Sequence, residues 1–201
     1  MSHLERIQKK RADSSIFRID NKGNWILQVL KQHNQETEGH SQRVAQMTVE
    51  FARRLEIEGT RLKYIFYGAL LHDIGKICIP DSVLLKPGPL TECEWKIMRL
   101  HPVYAVHLLK PILALRPSLY IPYCHHEKWD GSGYPRGLKG EEIPLEARIF
   151  AIVDVWDALV NNRIYRPALS EEKALQYLYQ QNGKHFDPKM TSVFMEVLQD
   201  C

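Results

Sequence analysis

The sequence predicts an all-α domain of about seven helices, and three observations carry that expectation. Apolar residues recur at steps of three and four over most of the chain, the period of a helix face. Helix start and stop signals bracket those stretches. No stretch shows the alternation of a half-buried strand, and no repeat of roughly 20–50 residues is present.

The elements follow in order. Residues 1–22 are polar and basic and read as a tail or the remnant of a linker, leaving 23–201 as the folded domain. From about Asn24, Trp25/Ile26 and Val29/Leu30 begin a helix. The stripe His40, Val44, Met47, Phe51, Leu55 lies on one helix face. A further helix after Thr60 carries Leu62, Ile65, Phe66, Ala69 and Leu70 into His72-Asp73, with Gly75 expected to end it. Pro80, Pro87 and Pro89 mark a loop. Thr91 and Glu94 fit a capping box for a helix bearing Trp95, Met98 and His101, and Pro102 imposes a kink or a fresh start. Val103, Val106 and Leu109 continue to Pro111, and a short helix approaches Cys124-His125-His126. The glycine-rich stretch Trp129–Pro135 must be a loop. A long amphipathic helix runs from about Leu145 to Val160. Ser170 caps another that stops at Gly183, and Asp187-Pro188 opens the last. Trp25, Val29, Trp95 and Trp156 read as core.

Composition bounds the function. With 201 residues the chain suits one substantial domain. Apolar residues at 44% and charged ones at 25% exclude collagen-like, low-complexity and disordered classes. The net charge of +3 is spread along the chain, without the basic stripe of a protein that binds DNA or RNA duplexes. Apolar runs such as Tyr64–Leu71 and Ile149–Val160 fall short of the roughly 18–20 residues that span a bilayer, so no membrane insertion is expected. The N-terminus lacks a signal-peptide core. The four cysteines form no CxxC pair and read as reduced thiols, which places the protein in the cytoplasm.

Nine histidines are the unusual count, and their placement carries chemistry. Glu36 and His40, four apart, share a helix face. His72-Asp73 stands at a helix end, His101 at a helix break, His125-His126 before the glycine loop, and Asp154 inside an apolar helix. A buried, unpaired carboxylate is costly, which argues that Asp154 is paired or ligating. Mixed imidazole and carboxylate donors suit Fe, Mn or Zn. Glu36, Asp73 and Asp154 with a bridging hydroxide balance two divalent ions, and a third ion leaves positive charge for an anionic phosphate. Two metals about 3.5–4 Å apart clamp a phosphoryl group for in-line attack.

The matching residues are Glu36…His40-x-x-Arg43-Val44, His72-Asp73-Ile74-Gly75-Lys76, His101-Pro102 and the block His125–Pro135. Asp154-x-x-Asp157-Ala158-Leu159, Arg163-x-Tyr165-Arg166 and Phe186-Asp187-Pro188 continue it. Over roughly 36–190 the chain resembles the HD-GYP domain, a subclass of the HD phosphohydrolase superfamily. The resemblance implies an HD-domain helical bundle with a GYP loop. It also implies a bacterial cyclic di-GMP phosphodiesterase that forms pGpG and, in some members, GMP, through a metal-bridging hydroxide. The alternatives are another cyclic dinucleotide, such as cyclic GMP-AMP, or a non-catalytic cyclic-dinucleotide receptor.

By that resemblance Asp73 bridges two metals, with His40, His72 and Asp154 completing one site and His101, His125 and His126 the other. Glu36 helps to hold a third, and iron or manganese is the expected metal. Lys76, four residues after His72, resembles a phosphate-contacting lysine, and either it or a metal-bound water is the expected donor to the leaving 3′-oxygen. Arg163 and Arg166 match a phosphate-binding pair, and Gly133, Tyr134 and Pro135 form a loop beside the substrate. Asp157 is expected at the same site, against substrate or behind a ligand, or paired with an arginine such as Arg163. His3, His33, His107 and His185 fall outside the pattern, and Cys124 reads as a small core residue. Ile164, Asn161-Asn162 and Ala105 depart from the usual family residues without touching a ligand position. Members often carry a sensor or receiver domain upstream and none is legible here, so the chain is expected to be an excised catalytic domain or a stand-alone one. A homodimer is a further expected partner state.

Overall fold

The computed structural model describes residues 37–162 and 167–199, and the tail 1–22 and the helix expected from Asn24, with Trp25 and Val29, lie outside them. Among the described residues there are nine α-helices and no strand. α1 spans Thr37–Arg54 and α2 Thr60–Leu70; α1 packs along α2 and also on α7, Leu145–Val160. α7 is apolar nearly all round, and Ile149, Phe150, Ile152, Val153 and Trp156 bury it at the centre. The α1 stripe Val44, Met47 and Phe51 faces that core. The last helix, α9 (Pro188–Gln199), closes it: Phe194 stands 5.1 Å from the Phe51 ring and 6.1 Å from Trp156. α8, Glu171–Gln180, begins where the Ser170 hydroxyl accepts the Lys173 amide. The carboxylate of Asp187 receives the Lys189 and Met190 amides and so caps α9.

The middle of the chain is made of short pieces. A 3-10 turn, Ile74–Cys78, follows α2; α3 is the single turn Asp81–Leu84; α4 is Glu92–Met98; α5 is His101–Leu109. A second 3-10 turn, Leu113–Ser118, leads to α6, Tyr120–Cys124, and a third, Gly140–Glu142, precedes α7. Thr91 and Glu94 form the expected capping box of α4, and Pro102 sits in the first turn of α5, where its missing N–H costs nothing. The turn Asp81–Leu84, inside what reads as a proline loop, is an element the periodicity did not announce.

Three expectations are corrected. α2 ends at Leu70 rather than running to Gly75: the Leu71 amide closes on Tyr67 and the His72 amide on Ala69. Gly75 lies inside the 3-10 turn, where a Cβ would fall 1.9 Å from the His101 carbonyl oxygen and 2.7 Å from the Ala105 nitrogen. It is glycine because α5 crosses directly on top of it. Trp95 is not core but 46% exposed, because α4 packs along α3 at the rim and buries none of its side chains. α8 stops at Gln180, three residues before Gly183, whose positive φ serves the tight link to α9.

Candidate metal centre

Five histidines and two aspartates from separate elements converge on the middle of α7. His40 projects from α1, His72 and Asp73 from the turn after α2, and His101 from the first position of α5. His125 and His126 follow α6, and Asp154 lies midway along α7. They form two groups. Ligand atoms of His40, His72 and Asp154 lie within 4.8 Å of one another, as do those of Asp73, His101, His125 and His126. Asp73 stands between the groups: Oδ2 is 3.2 Å from His72 Nε2, while Oδ1 is 3.4 Å from His101 Nε2 and 3.8 Å from His125 Nε2. His40 Nε2 is 3.1 Å from Asp154 Oδ1.

The backbone sets the imidazole tautomers. His72 Nδ1 faces the Ala69 carbonyl at 2.8 Å, His101 Nδ1 that of Met98 at 2.8 Å, and His125 Nδ1 that of Pro122 at 3.1 Å. A carbonyl only accepts, so each ring keeps its proton on Nδ1 and turns the Nε2 lone pair inward. His101 Nε2 and His125 Nε2 consequently face each other at 3.3 Å with no proton to share. Buried Asp73 Oδ1 between them finds no hydrogen-bond donor among the described residues. Converging lone pairs around an orphaned carboxylate oxygen are what a cation satisfies, so these residues fit divalent metal.

Electrostatics agree. Burial keeps His101, His125 and His126 neutral, His125 being lowered to about 3. For Asp73 burial favours the neutral form, but the Lys76 ammonium beside it leads the charges that hold the carboxyl well below its ordinary range. Burial would also lower His40, yet hydrogen bonds to Asp154 and Asp157 raise it to about 9.

Asp157 does not open onto the site. Its side chain is 1% exposed and its oxygens are taken by His40 Nδ1 at 2.7 Å, by Arg43 Nε and Nη2 at 2.8 and 3.0 Å, and by the Asn161 amide. A substrate cannot reach it. Instead it orients His40 from behind, and its arginine is Arg43. Lys76 does not share a helix with His72. The 3-10 turn brings its Nζ to 2.6 Å from Asp73 Oδ2, three residues back.

The glycine loop closes the other side. A Cβ on Gly133 would meet the Lys128 nitrogen at 2.4 Å and the His126 oxygen at 2.5 Å, so the loop folds against its own start. That fold stacks Tyr134 on His126, with ring centroids 4.6 Å apart. Pro135 follows through a cis peptide bond. The Arg99 guanidinium lies 5.5 Å from the Tyr134 centroid. Buried Glu127 receives the amides of Arg136 at 2.8 Å and Leu138 at 3.0 Å. The amides of Trp129 and Asp130 bond the carbonyls of His185 and Lys184. Glu36, Arg163 and Arg166 lie outside the described residues. Sequence reasoning gave no role to Arg43, Glu127 or Arg99. Arg43, three residues from His40 on the same helix, was the one with a legible signal.

A family model described as HD domain matches residues 24–190. The chain is 44% identical over 161 residues to the cyclic di-GMP phosphodiesterase response regulator RpfG of Xanthomonas campestris, covering 79% of this chain and 43% of the relative. It is 39% identical over 173 residues to the 3'3'-cGAMP-specific phosphodiesterase 2 of Vibrio cholerae, covering 85% and 33%. The chain thus spans less than half the length of these curated relatives. Among solved structures, a cyclic GMP-AMP specific phosphodiesterase of V. cholerae superposes with a TM-score of 0.67 at 20% identity, over 87% of this chain and 47% of that one. At that identity the likeness is one of fold.

Proposed function

Because this chain belongs to the HD domain family, we propose that it is a metal-dependent phosphodiesterase that hydrolyses cyclic di-GMP to pGpG, with the product assay below showing whether GMP follows. The observation that carries the reading is Asp73, with one oxygen aimed at each of two histidine groups. In this reading His40, His72 and Asp154 hold one cation and His101, His125 and His126 a second, Asp73 touching both. Glu36 helps to hold a third, on the strength of its motif position alone. Iron or manganese suits the mixed imidazole and carboxylate donors. Bound there, such ions supply positive charge for the scissile phosphate and an acidified water that attacks near neutral pH.

The chain's own groups do the rest. Lys76, already beside Asp73, holds a phosphate oxygen and gives a proton to the departing 3′-oxygen. Tyr134, kept in place by Gly133 and Pro135, forms an aromatic wall on which a base packs. Arg163 and Arg166 join by motif as guanidinium forks for phosphate. Asp157 with Arg43 keeps His40 turned inward. No helix of the described residues is long and apolar enough to cross a membrane, and a cytoplasmic domain under a sensor or receiver is the proposed setting, alone or as a homodimer.

One observation favours a second reading. A relative named for 3'3'-cGAMP is 39% identical, close to the 44% of the cyclic di-GMP relative. The test is a product assay. Protein purified without oxygen and loaded with Fe(II) or Mn(II) meets cyclic di-GMP or 3'3'-cGAMP, and nucleotides are resolved over time. pGpG from intact protein, and none from a His72→Ala/Asp73→Ala variant, is expected. Faster turnover of 3'3'-cGAMP would install the second reading, and binding of either without product would make the chain a receptor.

A further inference from the structure

The rim of the metal centre holds one more cation that the matching motifs do not account for. Arg99 is exposed at the end of α4, two residues ahead of His101. Its guanidinium lies over Tyr134, which itself stacks on the ligand His126. The neighbouring cations have other places: Arg43 pairs with Asp157, and Lys76 sits on Asp73, where in this reading it serves the phosphate that is cut. Arg99 makes no ion pair among the described residues; Tyr134 is its contact. Its position is well defined on both sides. The Met98 carbonyl just before it receives His101 Nδ1, and the glycine loop fixes Tyr134 against His126. A guanidinium with its N–H groups free, one aromatic ring away from the histidines, faces whatever part of the substrate extends past the reacting phosphate.

The proposed substrate supplies such a part. A cyclic dinucleotide carries two phosphodiesters, and only one can lie at the cations while it is cut. The other enters the same cleft with its negative charge and needs a partner. A guanidinium presents paired donors to phosphate oxygens. Resting on the cyclic-dinucleotide reading, we propose that Arg99 binds the phosphodiester that is not cut, and so selects cyclic dinucleotides over substrates with a single phosphodiester.

Metal-loaded protein and its Arg99→Ala and Arg99→Lys variants are compared on cyclic di-GMP, 3'3'-cGAMP and bis(p-nitrophenyl) phosphate, which has one phosphodiester. The readout is the ratio of kcat/KM for each dinucleotide to that for the small ester. Arg99→Ala is expected to lower the ratio about ten- to hundredfold for both dinucleotides, as loss of a charged hydrogen bond does. The change falls in KM, and Arg99→Lys recovers part of it. An unchanged ratio overturns the inference, as does an equal loss on all three substrates, which would make Arg99 a prop for Tyr134. Wild-type protein that cleaves the small ester but neither dinucleotide overturns the substrate reading itself and this inference with it. The two failures are read from different proteins.

Discussion

Replacing Asp157 by Asn keeps the side chain's shape and removes the charge that His40 Nδ1 and the Arg43 guanidinium share. One acceptor oxygen then remains for two donors, His40 Nδ1 and the Arg43 guanidinium, and the ring of His40 loses the charged partner that fixes its direction. Partners behind a metal-binding histidine are worth ten- to hundredfold in affinity. Asp157→Asn should therefore weaken metal binding by about that factor, read by competition with a chromophoric chelator, and wild-type affinity would refute the orienting role. Arg43→Ala acts differently: it leaves a buried carboxylate short of its guanidinium. The arginine is 30% exposed, so solvent softens the loss, and about 1–3 kcal/mol of stability in urea unfolding is expected. The pair also shows where sequence reading stops. Asp157 was visible as a carboxylate one helical turn from Asp154, but Arg43 lies 114 residues away in the chain, and only the crossing of α1 on α7 brings them together. Arg163, the nearer candidate in sequence, was a reasonable guess without that crossing.

At the scale of elements, the legible parts were those whose signal is local. The capping box of α4, the proline start of α5, and the caps of α8 and α9 each need only three or four residues to declare themselves. Gly75 and Trp95 misled for the opposite reason. A glycine after a helical stretch is the same letter whether it ends the helix or lets another helix cross it, and a tryptophan at helical spacing says nothing about whether its face is covered. Gly75→Ala separates the two meanings. As a left-handed helix stop it would cost alanine about 1–2 kcal/mol at that residue alone, whereas the crossing of α5 forces the backbone apart by more than an ångström. Overpacking of this kind costs about 1–3 kcal/mol or more, and because the displaced element carries His101, metal affinity should fall with the melting temperature. The glycine loop depends on Glu127 in a similar way. Glu127→Gln offers one acceptor oxygen where two amides, of Arg136 and Leu138, now bond. An unsatisfied amide costs about 1–3 kcal/mol. That cost appears as faster amide exchange over 129–140 with metal binding retained, and unchanged exchange would show that the loop stands without it.

For the molecule as a whole, the core and the metal centre are two sources of stability that meet on the same helix. α7 buries Phe150 and Trp156 in the apolar cluster and presents Asp154 to the histidines. The converging Nε2 atoms and the orphaned Asp73 oxygen load that junction with unfavourable contacts that a cation relieves. Metal that binds the folded chain and not the unfolded one stabilises it by about 2.7 kcal/mol at a hundred times its dissociation constant. For a domain of this size each kcal/mol is worth about 2–4 °C. Chelation should accordingly lower the melting temperature by about 5–11 °C per site occupied at that level. Asp73→Ala, lacking the carboxylate that serves both groups, should lose most of that response while still folding around Phe51, Phe150 and Phe194. Differential scanning fluorimetry with and without chelator measures both. A full chelator response in Asp73→Ala would mean that the two histidine groups take up metal independently, and that the aspartate between them is not what joins them.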